Sequence, residues 1–328
     1  MVIPGIGRVP EGLRGDFVRI DSAADGLFRA GQEGVVSIYT PLDRKVELIV
    51  YERKTLAYVR SAMGHPAIYP LEEARFEPPA EAVLMDLDGT SVRSERFWVW
   101  IIERTTARLL GNDRFELEPE DEPHVSGHSV SEHLRYCIAK YCPGKTVEEA
   151  RGHYFDIVRT EMRSILEGRG RVDAFEPAPG LKEFLLELKG AGVKIALVTS
   201  GLYEKAWPEI AAAFRRLGMG DPLEFYDAIV TAGHAIRKGQ AGTLGELEPK
   251  PHPWLYAEAA RVGLGIDRSR RSRTLGLEDS GAGVVSVRLA GFAVGGVAGG
   301  NIATSGTRPF LAASFADLRE ALGFVLGR

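Results

Sequence analysis

The spacing of apolar residues changes character near residue 80. Before it, short runs rich in β-branched and aromatic residues predict strands at Asp16 to Ile20, Gly34 to Tyr39, Val46 to Tyr51 and Leu56 to Arg60, with Arg53-Lys54 turning between the last two. Phe76-Glu77-Pro78-Pro79 follows, and two adjacent prolines stop regular structure, so it reads as a linker. Residues 1–79 are therefore expected to form a small all-β domain.

From Ala80 onward, buried-type strands alternate with amphipathic helices. Ala82 to Met85, Val193 to Val198, Ala228 to Val230 and Thr274 to Leu277 are short apolar runs of the kind found in parallel sheets. Leu181 to Leu188 has helical periodicity, with Pro179 near its start and Gly190 and Gly192 after it. The last helix is expected over Leu318 to Leu326, opened by a capping box from Ser314 to Asp317. Between the first two strands, about 92–176 carries no strand signal but three helical patterns, Glu95 to Leu110, Ser129 to Tyr141 and Val147 to Leu166. Trp98, Ile101, Ile102, Thr105 and Leu109 make an apolar stripe on the first. The fold class expected is α/β: a Rossmann-like parallel sheet core (80–91 and 177–328), an inserted helical cap and the N-terminal β domain.

Composition narrows the classes. A chain of 328 residues allows roughly two domains at about 150 residues each. Apolar residues make up 45% and the net charge is −4, so the cores can be sizeable and no global basic field exists to hold nucleic acid. Cys137 and Cys142 are the two cysteines, too few for a disulfide framework, and a reducing compartment is expected. No cationic leader and no membrane-length apolar run is read, so the location expected is cytoplasmic. A protein partner is not indicated.

The chemistry gathers at strand ends. Asp86-Leu87-Asp88-Gly89-Thr90 follows Val83-Leu84-Met85, placing two carboxylates at the carboxyl end of a buried strand, where open α/β sheets bind ligands. Paired buried aspartates repel unless a cation neutralises them, and a hard divalent ion such as Mg²⁺ suits oxygen ligands. Thr199-Ser200-Gly201 ends the second strand with hydroxyls and turn amides. Lys250 lies in the proline-fixed loop Glu248-Pro249-Lys250-Pro251-His252-Pro253, and both segments suit a phosphate. Glu278-Asp279-Ser280-Gly281 adds two acids at another strand end.

In these four motifs, in this order, the chain from about Ala80 to Arg328 resembles the haloacid dehalogenase superfamily, in its phosphoglycolate phosphatase and β-phosphoglucomutase-like branch. Pro179-Gly180-Leu181 and Asp279-Ser280-Gly281-Ala282-Gly283 match further family phrases. The resemblance implies Asp86 as nucleophile and Asp88 as general acid and base. It implies Mg²⁺ held by Asp86, the Asp88 carbonyl and Asp279, with Glu278 as a further ligand or outer partner. Thr199 and Lys250 would stabilise the transferring oxygens, and Ser200 and Gly201 would bind substrate. It also implies that the helical insertion acts as a cap, with His128 and Arg135 as candidates for gripping the leaving group of a small phosphorylated metabolite.

Two departures stand out. The loop from Gly233 to Glu248 is longer than usual and contains a competing Arg237-Lys238-Gly239; Lys250 is preferred because Pro251 and Pro253 complete the K-P-x-P phrase. The N-terminal β domain has no counterpart in simple family members.

Other features read more plainly. Arg268, Arg270, Arg271 and Arg273 lack interleaved aromatics and read as a solvated face, as does the acidic run Glu116 to Glu122. Gly295 to Gly300 lacks a following helix and is no dinucleotide fingerprint. His133 and Cys137 lack further ligands for a structural metal. The function expected is a Mg²⁺-dependent phosphatase acting on a small phosphate monoester. A phosphosugar mutase is the alternative, and a non-catalytic sensor or scaffold would require loss of a motif carboxylate, which is not seen.

Overall fold

The computed structural model describes residues 1–60, 67–125, 130–232, 235–236 and 248–328. After a short antiparallel ladder of Val2–Ile3 with Gly7–Arg8, five longer strands follow, β1 (Phe17–Ile20), β2 (Ser37–Pro41), β3 (Val46–Val50), β4 (Thr55–Val59) and β5 (Ala67–Pro70), an antiparallel sheet in that order. Period-two alternation divides their side chains between two clusters. Val46, Leu48, Val50, Ala57 and Val59 face one way, while Ile38, Ile49 and Tyr58 join Ala23 and Val35 on the other side.

The chain continues through β6 (Ala82–Asp86), three helices α1 (Glu95–Leu110), α2 (Val130–Tyr141) and α3 (Val147–Leu166), then α4 (Leu181–Gly190), β7 (Lys194–Thr199) and α5 (Tyr203–Leu217). It closes with β8 (Ala228–Thr231), β9 (Ala235–Ile236), α6 (Trp254–Glu258), β10 (Thr274–Glu278), α7 (Gly281–Leu289), β11 (Ala293–Val297), β12 (Ala313–Phe315) and α8 (Leu318–Leu326). The second sheet runs β9-β8-β7-β6-β10-β11-β12; β9 is antiparallel and the other six are parallel. This is the expected Rossmann-like core. β6, β7, β8, β10 and β11 are buried apart from the first residue of β7, which explains their unbroken apolar runs.

The described chain forms two compact units, one of Met1–Ser91, Ala178–Tyr203 and Asp221–Arg328, the other of Val92–Pro177 and Glu204–Gly220. The prolines at 78 and 79 thus lie inside a unit rather than between two. The reason is packing: Ile3, Val9, Phe17, Leu48 and Val59 share one apolar cluster with Leu84, Val198, Tyr256 and Val284 of the core. Arg288, nearly fully buried, ties the same seam by donating to the Gly5 carbonyl at 2.6 Å. Most of α5, expected in the core, belongs to the helical unit, where Arg215 donates to the Ile165 carbonyl at 3.1 Å and Lys205 lies 4.3 Å from the Trp98 ring centre.

Two local expectations are corrected, and one strand is added to those read from the sequence. Ser314 lies in β12, and Asp317 itself caps α8, accepting from the Arg319 and Glu320 amides. Gly295 and Gly296 lie inside β11, where added Cβ atoms would meet Phe315 at 2.6 Å and Leu311 at 2.9 Å. The arginine run is no free face: Arg268 and Arg271 pair with Glu72 at 3.1 and 2.7 Å, Arg270 pairs with Glu81, and Arg273 donates to the Pro79 carbonyl. No described helix is long and apolar enough to cross a membrane.

Candidate active site

The sheet register brings the motifs to one edge. Asp86 ends β6 opposite Val198, and Glu278 ends β10 one residue beyond the Leu277–Met85 pair. Asp86, Glu278 and Asp279 each present a carboxylate oxygen within 4.8 Å of the others. Lys250 lies among them, its ammonium paired with Asp86 and, at 2.6 Å, with Glu278. All four side chains are buried.

The surrounding backbone leaves these groups little freedom. Gly89 has φ +84°, and a Cβ there would come within 1.9 Å of an Asp279 oxygen. A Cβ on Gly283 would meet the Glu278 carboxylate at 1.9 Å, and one on Gly300 would meet the Asp279 carbonyl at 2.3 Å. These contacts require glycine, as the DGT and DSGAG phrases supply at two of the three positions.

The second strand end completes the arrangement. The Thr199 hydroxyl donates to Asp88 at 3.3 Å and accepts from the Gly201 amide at 2.9 Å. The Lys250 amide donates to the Ser200 hydroxyl at 3.0 Å, joining the two phosphate-type loops. The structure therefore gathers Asp86, Asp88, Thr199, Ser200, Gly201, Lys250, Glu278 and Asp279 within one unit. Arg135 is an exposed residue of α2 in the other unit, and His128 lies outside the described residues, as do Arg237, Lys238 and Gly239.

Sequence reasoning missed three groups. Tyr256, fully buried on α6, donates its phenol to the Glu278 carboxylate, and its ring centre is 5.0 Å from the Lys250 ammonium. The Ser280 hydroxyl donates to the other Glu278 oxygen at 3.1 Å, and the Ser91 hydroxyl to the Asp86 carbonyl at 2.6 Å. Ser91 and Ser280 adjoin motif residues and could have been suspected; only proximity to the K-P-x-P phrase pointed to Tyr256.

The charges of the site are unequal in number. Burial, then the Glu278 charge, pushes the Asp86 carboxyl up to about 8 although Lys250 pulls the other way. Burial and the Asp86 charge likewise push Asp279 well above the carboxylate range. Burial would lower Lys250, but Asp86 and Glu278 more than offset it and keep the ammonium protonated. Three buried carboxylates thus share one cation, and an all-oxygen donor set with surplus negative charge fits a hard divalent ion.

A parallel sheet with carboxylates, a lysine and a threonine at its carboxyl edge defines a Rossmann-like α/β protein with an acidic site at its strand ends. The chain belongs to the haloacid dehalogenase-like hydrolase family, whose model matches residues 80–291, and it is an enzyme of that class. No curated protein matches it. Among solved structures it is similar to CbbY from Rhodobacter sphaeroides in complex with phosphate, at 21% identity and TM-score 0.51, covering 74% of this chain and 96% of that one. A protein from Thermotoga maritima assigned as a beta-phosphoglucomutase matches at 19% identity and TM-score 0.53, over 75% and 98% of the two chains. A predicted phosphoglycolate phosphatase from Haemophilus somnus matches at 17% identity and TM-score 0.54, again over 75% and 98%. These likenesses describe the fold. Residues 1–79 lie outside the family match.

Proposed function

We propose that the chain is a Mg²⁺-dependent phosphatase of small phosphate monoesters. The observation that carries this reading is the convergence of Asp86, Asp279 and Glu278 on Lys250 at the strand edge that also bears Asp88 and Thr199. The Asp86 carboxylate attacks phosphorus, forming an acyl phosphate as the ester P–O bond breaks. Asp88 gives its proton to the leaving oxygen. Water then attacks the same phosphorus, Asp88 takes the proton of that water, and the Asp86 carboxylate is released with inorganic phosphate. Lys250, the Thr199 hydroxyl and the loop at Ser200 and Gly201 bear the charge of the transferring oxygens.

Mg²⁺ would be held by Asp86, the Asp88 carbonyl and Asp279, with Glu278 as a further or outer partner; when bound it supplies the positive charge that lets an anionic carboxylate approach an anionic ester. Hydrolysis of p-nitrophenyl phosphate with and without Mg²⁺ tests the reading. Turnover should require the metal and vanish in Asp86→Asn; comparable turnover in that variant would refute the nucleophile. With a hexose 1-phosphate, release of free phosphate is expected, and an isomeric hexose phosphate without it would establish a mutase instead.

A further inference from the structure

The N-terminal sheet touches the loop that carries Lys250. Tyr69 of β5 and His252, two residues after Lys250, share a hydrogen bond of 2.7 Å between the phenol and the imidazole Nδ1. Their rings meet edge to face at 5.7 Å between centres, and Tyr69 makes a similar contact with Trp254 at 6.0 Å. His252 is 1% exposed, and burial lowers its pKa, favouring the neutral ring. Its Nε2 is buried without a partner among the described residues, so the Tyr69 bond is the imidazole's one described hydrogen bond. A buried ring with a single polar anchor takes its orientation from that anchor.

The backbone of this loop is already tethered to the core. The Ser286 hydroxyl donates to the His252 carbonyl at 2.5 Å, the His252 amide donates to the Pro249 carbonyl, and the Lys250 amide meets Ser200. Those bonds tie the loop to the core; among the described residues, the Tyr69 bond is the side-chain hydrogen bond that reaches His252 from residues 1–79. We propose that Tyr69 is a positioning residue: through His252 it holds the Lys250 loop in register with Asp86 and Glu278, so that the N-terminal sheet is a working part of the phosphate site. This rests on the phosphatase reading for its kinetic consequence but not for its structural one. A lysine displaced slightly loses most where charge is greatest, in the transition state, so kcat falls more than KM rises.

Tyr69→Phe in the full chain removes one hydroxyl and keeps the ring. With p-nitrophenyl phosphate and Mg²⁺, kcat should drop about tenfold with KM within about twofold. Hydrogen exchange in the segment Lys250 to Trp254 should accelerate. His252→Ala should reproduce both effects, His252→Asn should restore most of kcat because its amide keeps a polar atom near Nδ1, and Tyr69→Phe should add nothing to His252→Ala. Asp16→Asn serves as the control, since Asp16 pairs with Arg308 on the same seam, away from the lysine loop. It should cost stability but leave kcat alone. Unchanged kcat and unchanged exchange in Tyr69→Phe would overturn the proposal, as would an equal kcat loss in Asp16→Asn. If Tyr69→Phe folds poorly, the two His252 variants decide the matter. If the wild-type chain hydrolyses no phosphate ester, the phosphatase reading fails and exchange alone decides for or against the anchor.

Discussion

Two buried aspartates, one in each compact unit, sit among the same kinds of neighbours and end in opposite states. Asp121 of the helical unit is fully buried and accepts from Lys140 at 2.6 Å, from Tyr136 at 2.6 Å, from Tyr141 and from the Glu118 amide at 2.9 Å. Burial alone would raise its pKa, yet those donors more than offset burial and hold it well below the carboxylate range. Asp86 also has a lysine close by, with a tyrosine one group away, but Glu278 takes the tyrosine and part of the lysine, and Asp88 adds further like charge. A carboxylate with a full set of donors is a structural joint. One that must share a single cation with two other acids is prepared for a ligand that brings more positive charge.

The largest test of that contrast substitutes each aspartate by its neutral isostere. Asp86→Asn should abolish Mg²⁺-dependent turnover while raising the stability of the metal-free protein at neutral pH, because the buried Asp86 carboxyl must take up a proton on folding there and an amide need not. Asp121→Asn should do the reverse: stability measured by urea unfolding should fall by about 3 kcal/mol, since Lys140 and two phenols lose their ionised acceptor. If both variants lower metal-free stability, the two sites do not differ in the way their neighbours imply.

The pH dependence sharpens the same point. Asp86 is pushed up to about 8 from an ordinary value of 3.8, so between those limits the folded, metal-free chain binds a proton that the unfolded chain has lost. Its contribution to stability therefore falls as pH rises through that window. On the proposed function, Mg²⁺ would bind the ionised form and compete with that proton. The rise in Tm on adding Mg²⁺ should be greater at pH 8 than at pH 6, and vanish in Asp86→Asn; an equal rise at both pH values would place the metal away from Asp86.

How far this was readable beforehand follows from sequence distance. Asp86 and Asp88, Thr199 to Gly201, Lys250, and Glu278 and Asp279 lie in short contiguous phrases at strand ends, and a parallel sheet delivers strand ends to one edge, so the site could be assembled from order alone. β11 was hidden because Gly295 and Gly296 replace the branched residues that signal strands, a consequence of tight packing against Phe315 and Leu311. The union of residues 1–79 with the core was hidden for another reason. Tyr69 and His252 are 183 positions apart, and the shared apolar cluster joins strands that each look self-sufficient. Local pattern shows that a strand has an apolar face; it does not show which surface that face will meet.

Tyr256 gives the smallest expected effect and the finest test of the comparison. Asp121 holds two tyrosine phenols directly, whereas at the motif site the Tyr256 phenol goes to Glu278 and, among the described residues, Asp86 is left with Lys250 as its side-chain donor. Tyr256→Phe keeps the ring beside Lys250 and removes the donor, so Glu278 must draw more strongly on the ammonium. Lys250 would then be less available to Asp86 and to the transferring phosphoryl oxygens. A decrease in kcat of about three- to tenfold is expected, with Tm lowered by a few degrees, in keeping with one buried hydrogen bond to a charged group. Turnover unchanged in this variant would mean that Glu278 does not compete for the lysine, and that the shortage of positive charge at the site lies with Asp86 and Asp279 only.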